Sequence, residues 1–219
     1  MDTTIVVAVV GLGVIALAVV LDRLVLVWKR RRAAWEGVAG ELGLAVREAV
    51  DLRTRFGRLA FLQRGRRPRT RIALEGLASG SPVLLADYQY TTGAGRSQSV
   101  HSQTLCLFHG AGLVLPAFTL RREHGFLDRV GELLGAQDID FPDDPAFSRA
   151  FVLKGEDESA VRSLFHIERR QRLLQQLTGG FHLEGAGDLL LFHTGRLIRP
   201  VAAREFLQRA GDLFDAFRR

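Results

Sequence analysis

The sequence predicts an α+β protein: an N-terminal transmembrane helix followed by a soluble domain of antiparallel sheet with packed helices. Three observations carry this expectation. No charged residue stands between Thr3 and Leu21. The middle of the chain holds short apolar runs separated by glycine-rich turns, as strands and hairpins require. The C-terminal segment repeats Phe206, Leu207, Ala210, Leu213, Phe214 and Phe217 at helical spacing.

The first element follows from length. A helix over residues 4–28 is about 37 Å long, enough to cross a hydrocarbon layer of roughly 30 Å with some tilt. Arg23 can snorkel to the headgroups, Trp28 stands as an interfacial aromatic, and Lys29, Arg30, Arg31 and Arg32 follow at once. Those cations against a short Met1-Asp2-Thr3 leader orient the segment with its N-terminus outside and the body cytoplasmic, in a single pass of the cell inner membrane. A cleaved signal peptide would need a basic leader and a shorter apolar core. Gly11 and Gly13 do not form the small-residue spacing of helix dimers.

The domain reading is a transmembrane anchor over 1–28, a basic juxtamembrane segment over 29–71, and a soluble cytoplasmic α+β domain over 72–219. The charge distribution supports this division. The formal net charge is +6, and residues 53–71 contain eight arginines and no acid. A chain basic near its membrane-proximal end and nearly neutral elsewhere favours an anionic membrane surface over nucleic acid, for which no recognition fold is visible.

Within the body, Trp35, Val38, Ala39 and Leu42 predict a helix over 33–50. The arginine stretch is interrupted by Phe56, Leu59, Phe61 and Leu62, with a turn at Gly65 and Pro68. Strands over 72–76, 82–90, 100–108 and 113–120 predict an antiparallel meander of about four strands. A helix over 125–134 and a strand over 151–153 follow. Glu156, Asp157 and Glu158 then open a kinked helix reaching Leu177, with its acids placed to suit the helix dipole. A hairpin over 181–184 and 188–193 turns at Gly185-Ala186-Gly187, and the last helix starts after Pro200.

Three blocks carry a resemblance: LEGLASGSPVLLADYQY at 74–90, DIDFPDDPAFSRAFVLKGEDE at 138–158, and EGAGD at 184–188. On these the chain resembles an uncharacterised bacterial family of single-pass membrane-anchored proteins, a domain of unknown function. The resemblance implies a soluble domain behind an anchor and supplies no catalytic residue.

Few residue patterns point to chemistry. Lys29, Arg30, Arg31, Arg32, Arg53, Arg55, Arg58, Arg64, Arg66, Arg67, Arg69 and Arg71 are the candidate contacts to anionic lipid, each contributing on the order of 1 kcal/mol near a charged leaflet. Gly93-Ala94-Gly95-Arg96 joins two strands, so it reads as a hairpin tip and not a phosphate loop. The six histidines show no metal-ligand spacing, and no cofactor or metal is expected. Asp138, Asp140, Asp143 and Asp144 lack the glycine and closing Glu of a calcium loop. Ser97, Ser99 and Ser102 near His101 lack a nucleophile elbow. Asp87 faces away from Tyr88 and Tyr90 on an alternating strand. Cys106, the sole cysteine, reads as a small buried hydrophobe.

The expected function is therefore a membrane-tethered cytoplasmic binding or scaffold module, non-catalytic, contacting anionic lipid or a protein partner in the membrane. The alternatives are a subunit of a larger membrane complex, or an enzyme whose site is assembled from scattered residues.

Overall fold

A computed structural model describes residues 3–48, 50–78, 80–110, 112–122 and 138–218, with backbone alone for residues 3–21 and 24. Helix α1 spans Thr3–Leu42 without interruption. It ends where Gly43 takes φ +68°, a left-handed turn that returns the Leu44 N–H to the Ala39 carbonyl at 2.9 Å. After it come β1 (Ala45–Arg47), α2 (Leu52–Arg55), a 3-10 turn at Ala60–Gln63, β2 (Arg66–Ala78), β3 (Ser81–Thr92), β4 (Ser99–His109) and β5 (Leu115–Arg122). Then α3 (Pro145–Ala150), β6 (Phe151–Gly155), α4 (Glu158–Leu164), α5 (Ile167–Gln176), β7 (His182–Gly187), β8 (Leu189–His193) and α6 (Ala203–Arg218) complete the chain. The helix expected over 125–134 lies outside the described residues.

The expected transmembrane helix needs correction. Among the described residues, no helix is long and apolar enough to cross a membrane. Residues 45–47 of the helix expected over 33–50 form strand β1 instead, and its residues 33–42 are continuous with α1. Helix α1 runs on to Leu42, and its polar half is a packing element of the body. The reason is spacing: Arg31, Trp35 and Ala39 recur every four residues, so one stripe of the helix faces the sheet, where Trp35 and Ala39 are buried.

The four-stranded meander is also too small. Among the described residues, eight strands form one sheet in the order β1-β2-β3-β4-β8-β7-β5-β6, every neighbouring pair antiparallel. Strands β2, β3 and β4 do run as consecutive hairpins, but β5 does not join β4. The late hairpin β7–β8 inserts between them, which no local pattern announces. The β3–β4 hairpin turns tightly at Gly93, φ +72°, where a Cβ would collide with the Ser97 carbonyl.

Strict alternation sends two sets of side chains to opposite faces. Leu74, Val83, Leu85, Cys106, Phe108 and Phe192 face a thick layer of helices. There Phe214 of α6 stacks on Phe108 at 4.5 Å, and Phe118 meets Phe165 edge-on at 5.0 Å. Ala73, Leu84, Ala86, Leu105, Leu107 and Leu191 face the other way. On that side the core partners are Leu52, Phe56, Leu59, Phe61 and Leu62 from one short segment. The apolar residues that interrupt the arginine stretch are thus the thin lid of a second core.

Candidate functional site: a helix lock beside a cationic groove

The sequence places an aspartate in the middle of an apolar strand, and β3 delivers it to the α1 face of the sheet. Asp87 is 1% exposed. A carboxylate there must be neutralised and hydrogen-bonded, because an unpaired buried charge is costly. Arg31 of α1 supplies both, donating from Nε to Oδ2 at 2.6 Å and from Nη2 to Oδ1 at 3.0 Å. Trp35 Nε1 donates to Oδ2 at 3.0 Å and Thr104 Oγ1 to Oδ1 at 2.6 Å. The same Arg31 Nη2 reaches the Ile198 carbonyl at 2.8 Å, and Thr104 accepts from the Ile198 N–H at 3.1 Å. Helix, two strands and the loop before α6 are thereby joined at one carboxylate.

Toward the N-terminus from this lock, α1 and residues of β2–β4 flank an open groove of about 730 Å³. Its apolar lining is Val25, Trp28, Ile72 and Val100, and its cations besides Arg31 are Lys29, Arg32 and Arg71. Arg71 donates to Gln89 Oε1 at 2.7 Å and lies over the Trp28 ring, 5.0 Å from its centroid. Arg32 pairs with Glu36 and Glu48, both outside the groove lining. Among the described residues, the only carboxylate lining the groove is Asp87, already held by Arg31.

The structure distributes the twelve predicted lipid-contact residues among different tasks. Lys29, Arg31, Arg32 and Arg71 come together around the groove. Arg30, Arg67 and Arg69 are exposed. Arg53 folds inward and donates to the carbonyls of Leu62, Arg64 and Gly65, closing the segment that lids the second core. Arg55 binds Glu75, whose carboxyl it holds below the usual range, and Arg58 binds Asp188. Arg66 donates to the Gly93 carbonyl. Arg64 is buried under the lid, 5.4 Å from the Phe61 ring centroid.

Much of this basic stretch lies along a sheet edge. Strand β1 pairs only with residues 73–75 of β2, so the outer side of residues 66–72 has no partner strand among the described residues. Arg66, Arg67, Arg69 and Arg71, Pro68, and a bulge with Arg67 at φ +53° occupy that edge. Charge, proline and bulging are the devices that keep an open edge from pairing with another chain.

A second polar group sits in the thin core. His182 and His193, register partners on β7 and β8, stack at 4.9 Å, with Phe61 4.4 Å from His193. Burial, with Arg64 and Arg121 nearby, holds His182 well below the ordinary imidazole range. Burial does the same to His193. Their neighbour Glu184 is pushed up to about 7 by burial, against the N–H groups of Phe61 and Ala60 that its carboxylate accepts. The His182–Glu184 contact at 3.2 Å is therefore a hydrogen bond shared with a neutral imidazole and not an ion pair. All three residues are at most 3% exposed, so this cluster serves the interior.

The remaining sequence candidates are structural. His101 stacks on Tyr90 and shares a 2.8 Å hydrogen bond with Thr92, while Ser102 accepts from Gln89, so no Ser–His pair forms. Asp144 caps α3 through the Phe147 N–H and pairs with Arg170, and Asp138 pairs with Lys154. Among the described residues no group of His, Cys, Asp and Glu is placed to hold a metal. Cys106 is wholly buried, and burial pushes its thiol up. What sequence patterns do not disclose is the Arg31–Asp87 partnership. Its signal is a lone acid inside an apolar strand, which demands a cation that periodicity alone cannot locate.

The fold and site define a class: a single antiparallel sheet with a helical layer on one face, onto which a long N-terminal helix is locked beside a cationic groove. No protein-family model matches the chain, and no curated protein sequence matches it. Among solved structures it is similar to the crystal structure of the mycobacterial trehalose monomycolate transport factor A. That likeness has a TM-score of 0.61 at 13% identity, over 87% of this chain and 94% of that one. At such identity it establishes a shared fold alone.

Proposed function

We propose that this protein is a membrane-associated, non-catalytic module that works beside membrane transport machinery, with its folded body on the cytoplasmic side. The observation that carries the proposal is the lock at Asp87. It makes one rigid unit of the body and of a helix whose first half has no charged residue between Thr3 and Leu21. A body so fixed presents the same surface to whatever that helix associates with. The cations at 29–32 suit contact with an anionic cytoplasmic leaflet. The transport setting is suggested by the fold shared with a transport factor.

Photo-crosslinking in intact cells, from probes on the exposed Arg66–Arg69 edge, tests this. Adducts to integral membrane transport proteins are expected, with the full chain recovered in the membrane fraction. Recovery in the soluble fraction, or adducts to soluble proteins alone, overturns it.

A further inference from the structure

The geometry points to the α1–sheet groove as a binding site for one anionic phospholipid, its phosphate between Lys29 and Arg71 and its first acyl carbons against Trp28 and Val100. The inference rests on the membrane-associated reading above and assigns a discrete ligand site within it.

Three observations lead here. The first is uncompensated charge. Asp87 is spent on Arg31, and the acids paired with Arg32 stand outside the groove, so Lys29 and Arg71 face it without an opposing carboxylate among the described residues. The second is the chemistry of Arg71. Its guanidinium is stacked on Trp28 and held in place by Gln89, which pre-orients a planar donor for a phosphate oxygen. The third is apolar surface in a basic setting. Val25 is 50% and Val100 59% exposed, both lining the groove. Neither a free anion nor an alkyl chain alone accounts for such a lining; a molecule carrying both satisfies it. The volume of about 730 Å³ falls in the range of small-molecule sites, roughly 300–1,000 Å³. The groove also begins on α1 within a few residues of the uncharged stretch.

Trp28 and Trp35 are the only tryptophans, so a Trp35→Phe background leaves Trp28 as a single reporter inside the groove. The full chain is titrated with phosphatidylcholine vesicles with and without phosphatidylglycerol. A saturable shift of Trp28 emission to shorter wavelength is expected only with the anionic lipid. Lys29→Gln with Arg71→Gln should weaken its midpoint roughly tenfold or more, since each cation contributes on the order of 1 kcal/mol. Arg58→Gln with Arg69→Gln removes the same formal charge outside the groove, where Arg58 is already paired with Asp188, and should change it less than about twofold. Val100→Asp, at an exposed position, should abolish the shift.

Equal weakening by both charge pairs, or the same shift with phosphatidylcholine, overturns the site. If the chain still floats with anionic vesicles while Trp28 stays silent, the groove fails and membrane association stands. If it floats with neither, the membrane reading fails as well. Should Trp35→Phe disturb the fold, a benzophenone side chain at position 100 in the otherwise native chain tests the same contact. Crosslinking to phosphatidylglycerol, lost in the Lys29/Arg71 variant, supports the site; crosslinking to an acidic protein instead overturns it.

Discussion

Asp87 shows how one residue sets the behaviour of a larger element. Its carboxylate receives two donors from Arg31, one from Trp35 and one from Thr104, all in a buried setting. Replacing a buried ion pair by apolar residues is often neutral, but removing one partner strands the other. Asp87→Ala is therefore expected to cost about 3–5 kcal/mol in urea unfolding, whereas Thr104→Val, which removes one donor to the carboxylate and the acceptor of the Ile198 N–H, should cost about 2 kcal/mol.

Glu184 makes a pH-dependent prediction at the same scale. Its carboxyl is raised from 4.5 to about 7 in the folded state. Its contribution to stability is thus complete below pH 4.5 and is lost as pH rises through 7. His182 and His193 are shifted the other way, so between pH 4.5 and 6.5 their effect opposes that of Glu184. Glu184→Gln isolates the carboxyl. The stability advantage of the native chain over this variant should shrink by on the order of 3 kcal/mol between about pH 4.5 and 7.5. A constant difference across that range would mean that Glu184 titrates normally.

At the scale of elements, the basic stretch divides into a lid and an edge. The lid, Leu52 to Leu62, is held by the Asp51 cap on α2 and by Arg53 on three carbonyls. The edge of β2 is exposed backbone guarded by arginines, Pro68 and a bulge. Pro68→Thr with Arg69→Val restores an amide donor and removes a charge at that edge. This double variant should self-associate at concentrations where the native chain does not, as read by light scattering, with its far-ultraviolet dichroism unchanged. A monodisperse variant would show that the edge needs no such guard.

At the scale of the whole molecule, α1 belongs partly to the folded body and partly beyond it. Contact with the sheet begins at Trp28, against Arg71, and deepens through Arg31 to the buried Trp35 and Ala39. Removing residues 1–24 should leave a cooperatively folding body, whereas removing residues 1–36 should abolish the sharp thermal transition, because Trp35 and the Asp87 lock go with it. A cooperative melt in the longer truncation would show that the sheet and α6 suffice without α1.

Element identity was largely legible in the sequence. Alternation marked β2, β3 and β4 and the apolar stripe marked α6, because these signals depend on neighbours a few residues apart; the late hairpin was marked too, but its turn falls at Gly187-Asp188, with Gly185 and Ala186 paired inside β7. The sequence by itself also determined where charge is concentrated, where the uncharged stretch lies, and that no metal or nucleophile motif is present. Only the tertiary structure decided that β7–β8 inserts between β4 and β5, that α1 is a packing helix as far as Leu42, and that Arg53 and Arg64 turn inward while Lys29 and Arg71 share a groove. The physical reason is range. Periodicity reports which face of an element is apolar, but partners such as Arg31 and Asp87, far apart in the chain, are chosen by how elements stack and by the need to neutralise each buried charge.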